Sequence, residues 1–93
     1  MIQSFGCKDT FSLFITRKTR RWTAIQSVAL RKLDQLEAAI HLEDLKAPAG
    51  NRLEMLKGNR KAQHSIRIND QWRICFVWWA NGPHGVEIVD YHS

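Results

Sequence analysis

Apolar positions along the chain recur first with a helical period and then with a period of two. Residues 2–5, IQSF, alternate apolar and polar, which predicts a short strand. Phe11, Phe14 and Ile15 come next at i, i+3 and i+4 and predict a brief helix, with Asp9 or Thr10 as its N-cap. The clearest helix starts at TAIQ, where Thr23 can cap and Gln26 stands at the capping-box spacing. Ile25, Ala29, Leu33, Leu36 and Ile40 form one apolar stripe, and Arg31, Lys32, Asp34 and Glu37 fall largely outside it. The helix is expected to end near His41, and the APAG of Ala47 to Gly50 breaks the next segment.

The second half reads as strands. Ile66 and Ile68 share one side of the segment Ser65 to Ile68, with Ser65 and Arg67 on the other. After a tight connection at Asn69 to Gln71, WRICFVWW predicts a long strand. Trp72, Ile74, Phe76 and Trp78 take one face of it, and Arg73, Cys75, Val77 and Trp79 the other. The adjacent Trp78 and Trp79 therefore diverge, and one of them packs outside the main core. NGPHG, Asn81 to Gly85, signals a turn, and VEIVDYH a last strand. Three strands with short connections make an antiparallel meander. The expected class is α+β, two N-terminal helices packed on a small mixed, mainly antiparallel β-sheet, as a single domain over residues 1–93.

Size and charge narrow this further. A chain of 93 residues buries roughly 60–65 % of its unfolded surface, enough for one core when 44 % of its residues are apolar. Cys7 and Cys75 are too far apart in sequence for a CxxC or Cys/His metal spacing. No basic-then-apolar leader opens the chain, and no apolar run approaches the ~20 residues of a membrane span. A cytoplasmic protein with reduced thiols and no membrane partner is expected. The net charge of +5 favours polyanions without saying which one.

Arg73 is the unusual residue, a guanidinium inside an otherwise apolar strand. It must be paired, for example with Asp90 or Glu87 on the next strand, or point into a polar groove. Lys57 precedes Gly58 at a strand end, and Arg60, Lys61 and Arg67 lie nearby in sequence. The chain closes on Asp90, Tyr91 and His92. An imidazole titrates near neutral pH and moves protons, a phenol orients or donates, and cations such as Lys57 and Arg73 stabilise charge on a phosphate. Together they suit attack of a ribose 2′-hydroxyl on the adjacent phosphorus, with neither metal nor cofactor. The alternatives are a solvated terminal His92, a half-buried Tyr91 that only packs, and a solvated basic corner at Arg17 to Arg21.

MIQSF at the start, LKG with the NxQWRICF block in the middle, and the closing VEIVDYH resemble the HigB-type killer proteins of the RelE superfamily, over nearly the whole length. The resemblance implies a RelE-like microbial RNase fold and a ribosome-dependent endoribonuclease that cuts mRNA in the ribosomal A site. It implies proton transfer by His92, a site completed by Tyr91 and Asp90, and phosphate held by Lys57 and Arg73. Arg60, Lys61, Arg67 and Glu54 are the expected substrate contacts. The implied partners are a HigA-type helix-turn-helix antitoxin, mRNA and the 70S ribosome, with operator DNA reached only through the antitoxin. One departure stands out. Where some similar toxins carry a histidine three residues before the LKG lysine, this chain has Glu54. That carboxylate fits a base, a partner for Lys57, or a loss of cleavage that leaves only antitoxin binding and operon autoregulation.

Overall fold

Residues 1–60 and 62–91 are described by the structure, a computed structural model. Its elements run α1 (Lys8–Thr16), α2 (Gln26–Ala38), β1 (Glu54–Met55), β2 (His64–Arg67), β3 (Trp72–Trp79) and β4 (Gly82–Asp90), with short 3₁₀ turns between them. The four strands form one sheet in the order β1-β2-β3-β4, every neighbour antiparallel. The predicted meander is therefore present, extended at one edge by β1. Two residues are too few to show an alternation, so β1 leaves no periodic signal in the sequence.

The helices cover one face. Leu13 of α1 and Ala29, Leu33 and Leu36 of α2 pack with Ile66, Ile74, Phe76, Val86 and Ile88 of the sheet, all buried. Trp72 and Trp78 join this cluster partly buried, and Trp79 points away and is exposed, as the divergence of the pair required. Between Cys75 and Val77 the register of β3 against β4 slips by a bulge, where Gly85 takes φ 61°. Beyond the bulge, Val86 and Ile88, two residues apart, both turn to the core. The expected turn at Asn81 to Gly85 is shorter than predicted, because Gly82, Pro83 and His84 already belong to β4. Proline is tolerated there since β4 is the last strand of the sheet.

Residues 2–5 form no strand of their own. They run along β4 with bonds Gln3 N–Pro83 O (2.8 Å), Val86 N–Ser4 O (3.1 Å) and Gly6 N–Val86 O (2.9 Å), and one parallel bridge joins Phe5 to Val86. This bridge supplies the parallel part of a mainly antiparallel sheet. The contact is close: a Cβ on Gly82, itself at φ 124°, would stand 2.5 Å from the Met1 carbonyl.

Both helices depart in detail from the periodic reading. In α1 the buried residues are Thr10 and Leu13, whereas Phe11 and Ile15 are exposed. The helix lies at the rim of β4, where the Ile88 N–H donates to the Thr10 hydroxyl at 3.1 Å. A backbone donor leaving the sheet needs an acceptor, and that need outranks the apolar stripe. Cys7 occupies the N-cap position without a side-chain bond, and Asp9 pairs with Arg21 at 2.9 Å. α2 is entered through a 3₁₀ turn at Thr23–Ile25 and not through a capping box. Gln26 instead accepts from the Thr19 N–H at 3.1 Å and donates to the Arg17 carbonyl, tying down the basic segment. The stripe holds at Ile25, Ala29, Leu33 and Leu36, but α2 ends at Ala38 and Ile40 is 76 % exposed. The Asp44 carboxylate takes the Ile40 and His41 N–H groups at 3.0 and 2.9 Å, which starts the next turn and holds its pKa below the usual range.

Lys32 departs most from expectation, since it is buried and donates to Asn51. Asn51, fully buried, donates in turn to the Leu45 and Ala47 carbonyls and to the Gln35 side chain. A buried lysine is costly unless hydrogen-bonded, and desolvation lowers its pKa. The knot fastens the 42–52 segment to α2 and fixes where Arg52, at φ 45°, aims its carbonyl.

These differences in burial are measurable. Leu33→Ala should lower unfolding free energy by about 2–5 kcal/mol in urea titration, while Ile40→Ala should stay within about 0.5 kcal/mol. Equal effects would contradict the packing. Burial pushes the Cys75 thiol up to about 11 from an ordinary 9.0. Its contribution to stability is therefore complete below pH 9 and should fall away as pH rises towards 11, a decline that Cys75→Ala should remove. At pH 8 a disulfide reagent should titrate half-buried Cys7 readily and Cys75 only after unfolding; two equally fast thiols would contradict this.

Candidate active site

The face of the sheet away from the helices carries the unusual chemistry. Antiparallel register places partner side chains on the same face. Glu54 stands opposite Ser65, Ser65 opposite Cys75, Cys75 opposite Glu87, and Arg67 opposite Arg73, which faces Val89. Tyr91, two residues beyond Val89, continues this face. Its N–H donates to the Gln71 carbonyl at 2.6 Å, so the pairing reaches the end of the described chain.

Arg73 is buried at the centre. Its Nε donates to the Ser65 hydroxyl at 2.6 Å, and Nη2 donates to the Arg52 carbonyl at 2.6 Å and the Ser65 carbonyl at 3.3 Å. The Glu54 carboxylate lies 3.7 Å from Nη2, and the guanidinium carbon sits 5.9 Å from the centre of the Tyr91 ring. The expected pairing with Asp90 or Glu87 is thus replaced by one with Glu54 from the far edge strand. Glu87 is engaged elsewhere: it accepts from Arg60 Nη1 at 2.8 Å, the same nitrogen that reaches Gln63 at 3.1 Å. That bond raises the Arg60 pKa above its ordinary value, so the cation is permanent. Cys75 lies beneath these groups as a neutral thiol.

The other nominated residues divide. Arg67 pairs with the exposed Asp70 beside it. Lys57 is exposed just after β1, before Gly58 at φ 67°, and its ammonium makes no ion pair among the described residues. Asp90 stands opposite Trp72, on the face that carries the helices, and accepts from Gln71 Nε2 at 3.2 Å. Strand alternation therefore separates Asp90 from Tyr91 although they are neighbours in sequence. His92 and Lys61 lie outside the described residues. Among the described residues no three His, Cys, Asp or Glu side chains converge as metal ligands would.

Ser65 and the Arg52 carbonyl are the site groups that residue-by-residue reading passed over. A signal for Ser65 existed: it is the small polar residue in the outward phase of β2, the phase that meets Arg73 across the ladder. The Arg52 carbonyl left none, because its aim depends on the buried Lys32–Asn51 knot.

What the arrangement can do is bind an anion. Arg73 and Arg60 are held rigidly, Lys57 offers an exposed cation at the rim, and the Tyr91 ring flanks Arg73. With Arg67 already paired to Asp70, the cations Arg73, Arg60 and Lys57 outnumber the carboxylates Glu54 and Glu87 and leave the face positive, with each buried charge partnered, as burial requires. An incoming phosphate would meet donors already oriented.

Comparison with known proteins identifies the family and the fold. Residues 9–92 match the family model described as RelE-like toxin of type II toxin-antitoxin system HigB. Toxin HigB-1 of Vibrio cholerae serotype O1 (strain ATCC 39315 / El Tor Inaba N16961) is 46 % identical over 56 residues, 60 % of this chain and 59 % of that protein. An uncharacterized protein of Haemophilus influenzae (strain ATCC 51907 / DSM 11121 / KW20 / Rd) is 33 % identical over 69 residues, 74 % of this chain and 67 % of its own length. Among solved structures, a point mutant of YafQ from E. coli superimposes with a TM-score of 0.61 at 14 % identity, covering 98 % of this chain and 92 % of that one. A chain of the YoeB-YefM complex from Staphylococcus aureus gives 0.61 at 17 %, covering 100 % and 99 %. Identities this low speak for the fold alone, and the family rests on the sequence match. The chain belongs to the HigB family of RelE-like toxins of type II toxin–antitoxin systems.

Proposed function

We propose that this toxin is a metal-independent endoribonuclease that cuts translated mRNA in the ribosomal A site, and that the outer face of the sheet is its active surface. The observation that carries this reading is the arginine preset inside a strand, wedged between Ser65 and the Arg52 carbonyl with a phenol beside it. Such an arginine suits a phosphate whose charge grows during reaction. The ribose 2′-oxygen attacks phosphorus and gives its proton to a base, while the bond to the 5′-oxygen breaks and that oxygen takes a proton. A 2′,3′-cyclic phosphate and a 5′-hydroxyl result. His92 is assigned to proton transfer and Tyr91 to orienting the phosphate. Arg73 and Lys57 stabilise its charge, and Arg60, Lys61 and Arg67 hold the message backbone. Glu54, 3.7 Å from Arg73 Nη2, is assigned as the second proton carrier. Asp90 acts from the opposite face, through the strand end that presents Tyr91. The chain would work in the cytoplasm, on 70S ribosomes, and be neutralised by a HigA-type helix-turn-helix antitoxin through which it meets operator DNA.

A second reading has its own support. The Glu54 carboxylate, 3.7 Å from Arg73 Nη2, competes with phosphate for the same cation. A relative that only binds its antitoxin and regulates the operon would carry such a block.

Reconstituted translation of a defined message, read by primer extension, separates the two. The unmodified chain should cut within translated codons. Lys57→Ala should reduce the rate about 10²–10³-fold and His92→Ala about 10²–10⁴-fold, with unfolding curves unchanged for Lys57→Ala because that side chain is exposed. Arg73→Ala should abolish cutting and also destabilise the fold by about 1–3 kcal/mol, since it strands buried acceptors. An intact message would favour the regulatory reading. Full activity in both the Lys57 and His92 variants would overturn the site.

A further inference from the structure

The outward side of α1 is used neither by the core nor by the outer sheet face. Phe11 and Ile15, 49 % and 58 % exposed, stand on it with Met1 alongside. Together with the N-terminal segment they line a groove of about 560 Å³. Its wall is ordered: Phe5 packs edge-on against Phe11, ring centres 5.3 Å apart, and meets Phe14 at 5.6 Å. The Ile2 N–H is fixed to the Glu37 carboxylate at 2.8 Å. Large apolar side chains left exposed around a preformed groove mark an interaction surface more often than a solvated one.

Charge says what fits there. Asp9 and Asp34 are ion-paired, to Arg21 at 2.9 Å and to Arg17 at 2.6 Å, and Glu37, the one carboxylate among the groove's lining residues, accepts from the Ile2 amide at the inner wall. Lys8 borders the groove, while Lys18 and Arg20 line a second hollow on the neighbouring stripe of α1. None of these three cations makes an ion pair among the described residues. The surface is thus an apolar stripe with a basic border. It complements a segment with an apolar edge and acidic flanks, and repels a second copy of this basic chain.

We propose that this groove is the docking site of the antitoxin, which lays an acidic amphipathic segment across Phe11 and Ile15. The assignment rests on reading the chain as a toxin with a dedicated antitoxin, and it names the surface that partner takes. Phe11 and Ile15 are the anchors, and Lys8, Lys18 and Arg20 steer and orient the segment.

The test uses the full chain and the full-length antitoxin encoded in its own operon, with affinity measured by titration calorimetry and neutralisation by growth on co-expression. Phe11→Glu with Ile15→Glu should weaken binding at least about 100-fold, the loss of two apolar anchors. It should also arrest growth even when the antitoxin is present. Lys8→Glu with Lys18→Glu should weaken binding and flatten its salt dependence. Met55→Glu and Trp79→Glu, exposed apolar residues elsewhere, should bind as the unmodified chain does. Circular dichroism checks each fold, and Ile15→Glu alone replaces the double variant if that one unfolds. Unchanged affinity in the α1 variants overturns the proposal, as does an equal loss at Met55 or Trp79. A dimer of the free chain that the α1 variants dissolve overturns it as well, and gives the groove to a second copy. If the unmodified chain fails to arrest growth while the affinity pattern holds, the nuclease reading falls and the docking site stands.

Discussion

A guanidinium buried in the middle of a β-sheet has to be satisfied from several directions at once, and that requirement ties this molecule together. Arg73 on β3 draws its partners from β2 through Ser65, from the preceding loop through the Arg52 carbonyl, and from the edge strand through Glu54. Removing any one leaves charge or lone pairs stranded in a poorly solvated place, at a cost of about 1–3 kcal/mol per buried group. The arginine therefore fixes the position of β1, which is too short to hold itself. It also fixes the exit of the 42–52 segment. The same bonds immobilise the cation, so one interaction serves the fold and, on our reading, the chemistry.

Support for that arrangement reaches back through the protein. Lys32 of α2 grips Asn51, Asn51 satisfies the carbonyls of its own loop, and the next residue presents its carbonyl to Arg73. A helix on one side of the sheet thus helps to set a side chain on the other. Through this two-sided coupling, core substitutions in α2 reach the candidate site by geometry, without touching it.

The legibility of these features in the sequence varied with how local their causes are. β3 could be read with its boundaries, because eight consecutive residues carry one uninterrupted local pattern, apolar but for Arg73, between the Asn69 to Gln71 connection and the turn that Asn81 opens. The α2 stripe was legible from Ile25 to Leu36 for the same reason. α1 was legible as a helix but not in its inward face, which Thr10, Leu13 and partly buried Phe14 form and where the Thr10 hydroxyl meets the Ile88 amide, a long-range contact with no periodicity. The site divided likewise. The strand phases put Arg73 on the outer face and Trp72 inside, and they put Tyr91 with the former and Asp90 with the latter. Reading Asp90 and Tyr91 as one cluster ignored that alternation. The true partner of Arg73, Glu54, lies 19 positions away on a strand with no signature.

On our reading a preset Arg73, flanked by Tyr91, receives a phosphate of the message. Arginine Nε–H signals, followed by nuclear magnetic resonance as a short 2′-O-methylated, uncleavable RNA is added, probe that encounter at the atom concerned. One sharp, exchange-protected Nε–H, that of Arg73, should shift on titration together with the backbone signals of Lys57 and Tyr91. Shifts confined to the basic segment Arg17 to Arg21, with the Arg73 signal unmoved at saturation, would contradict it.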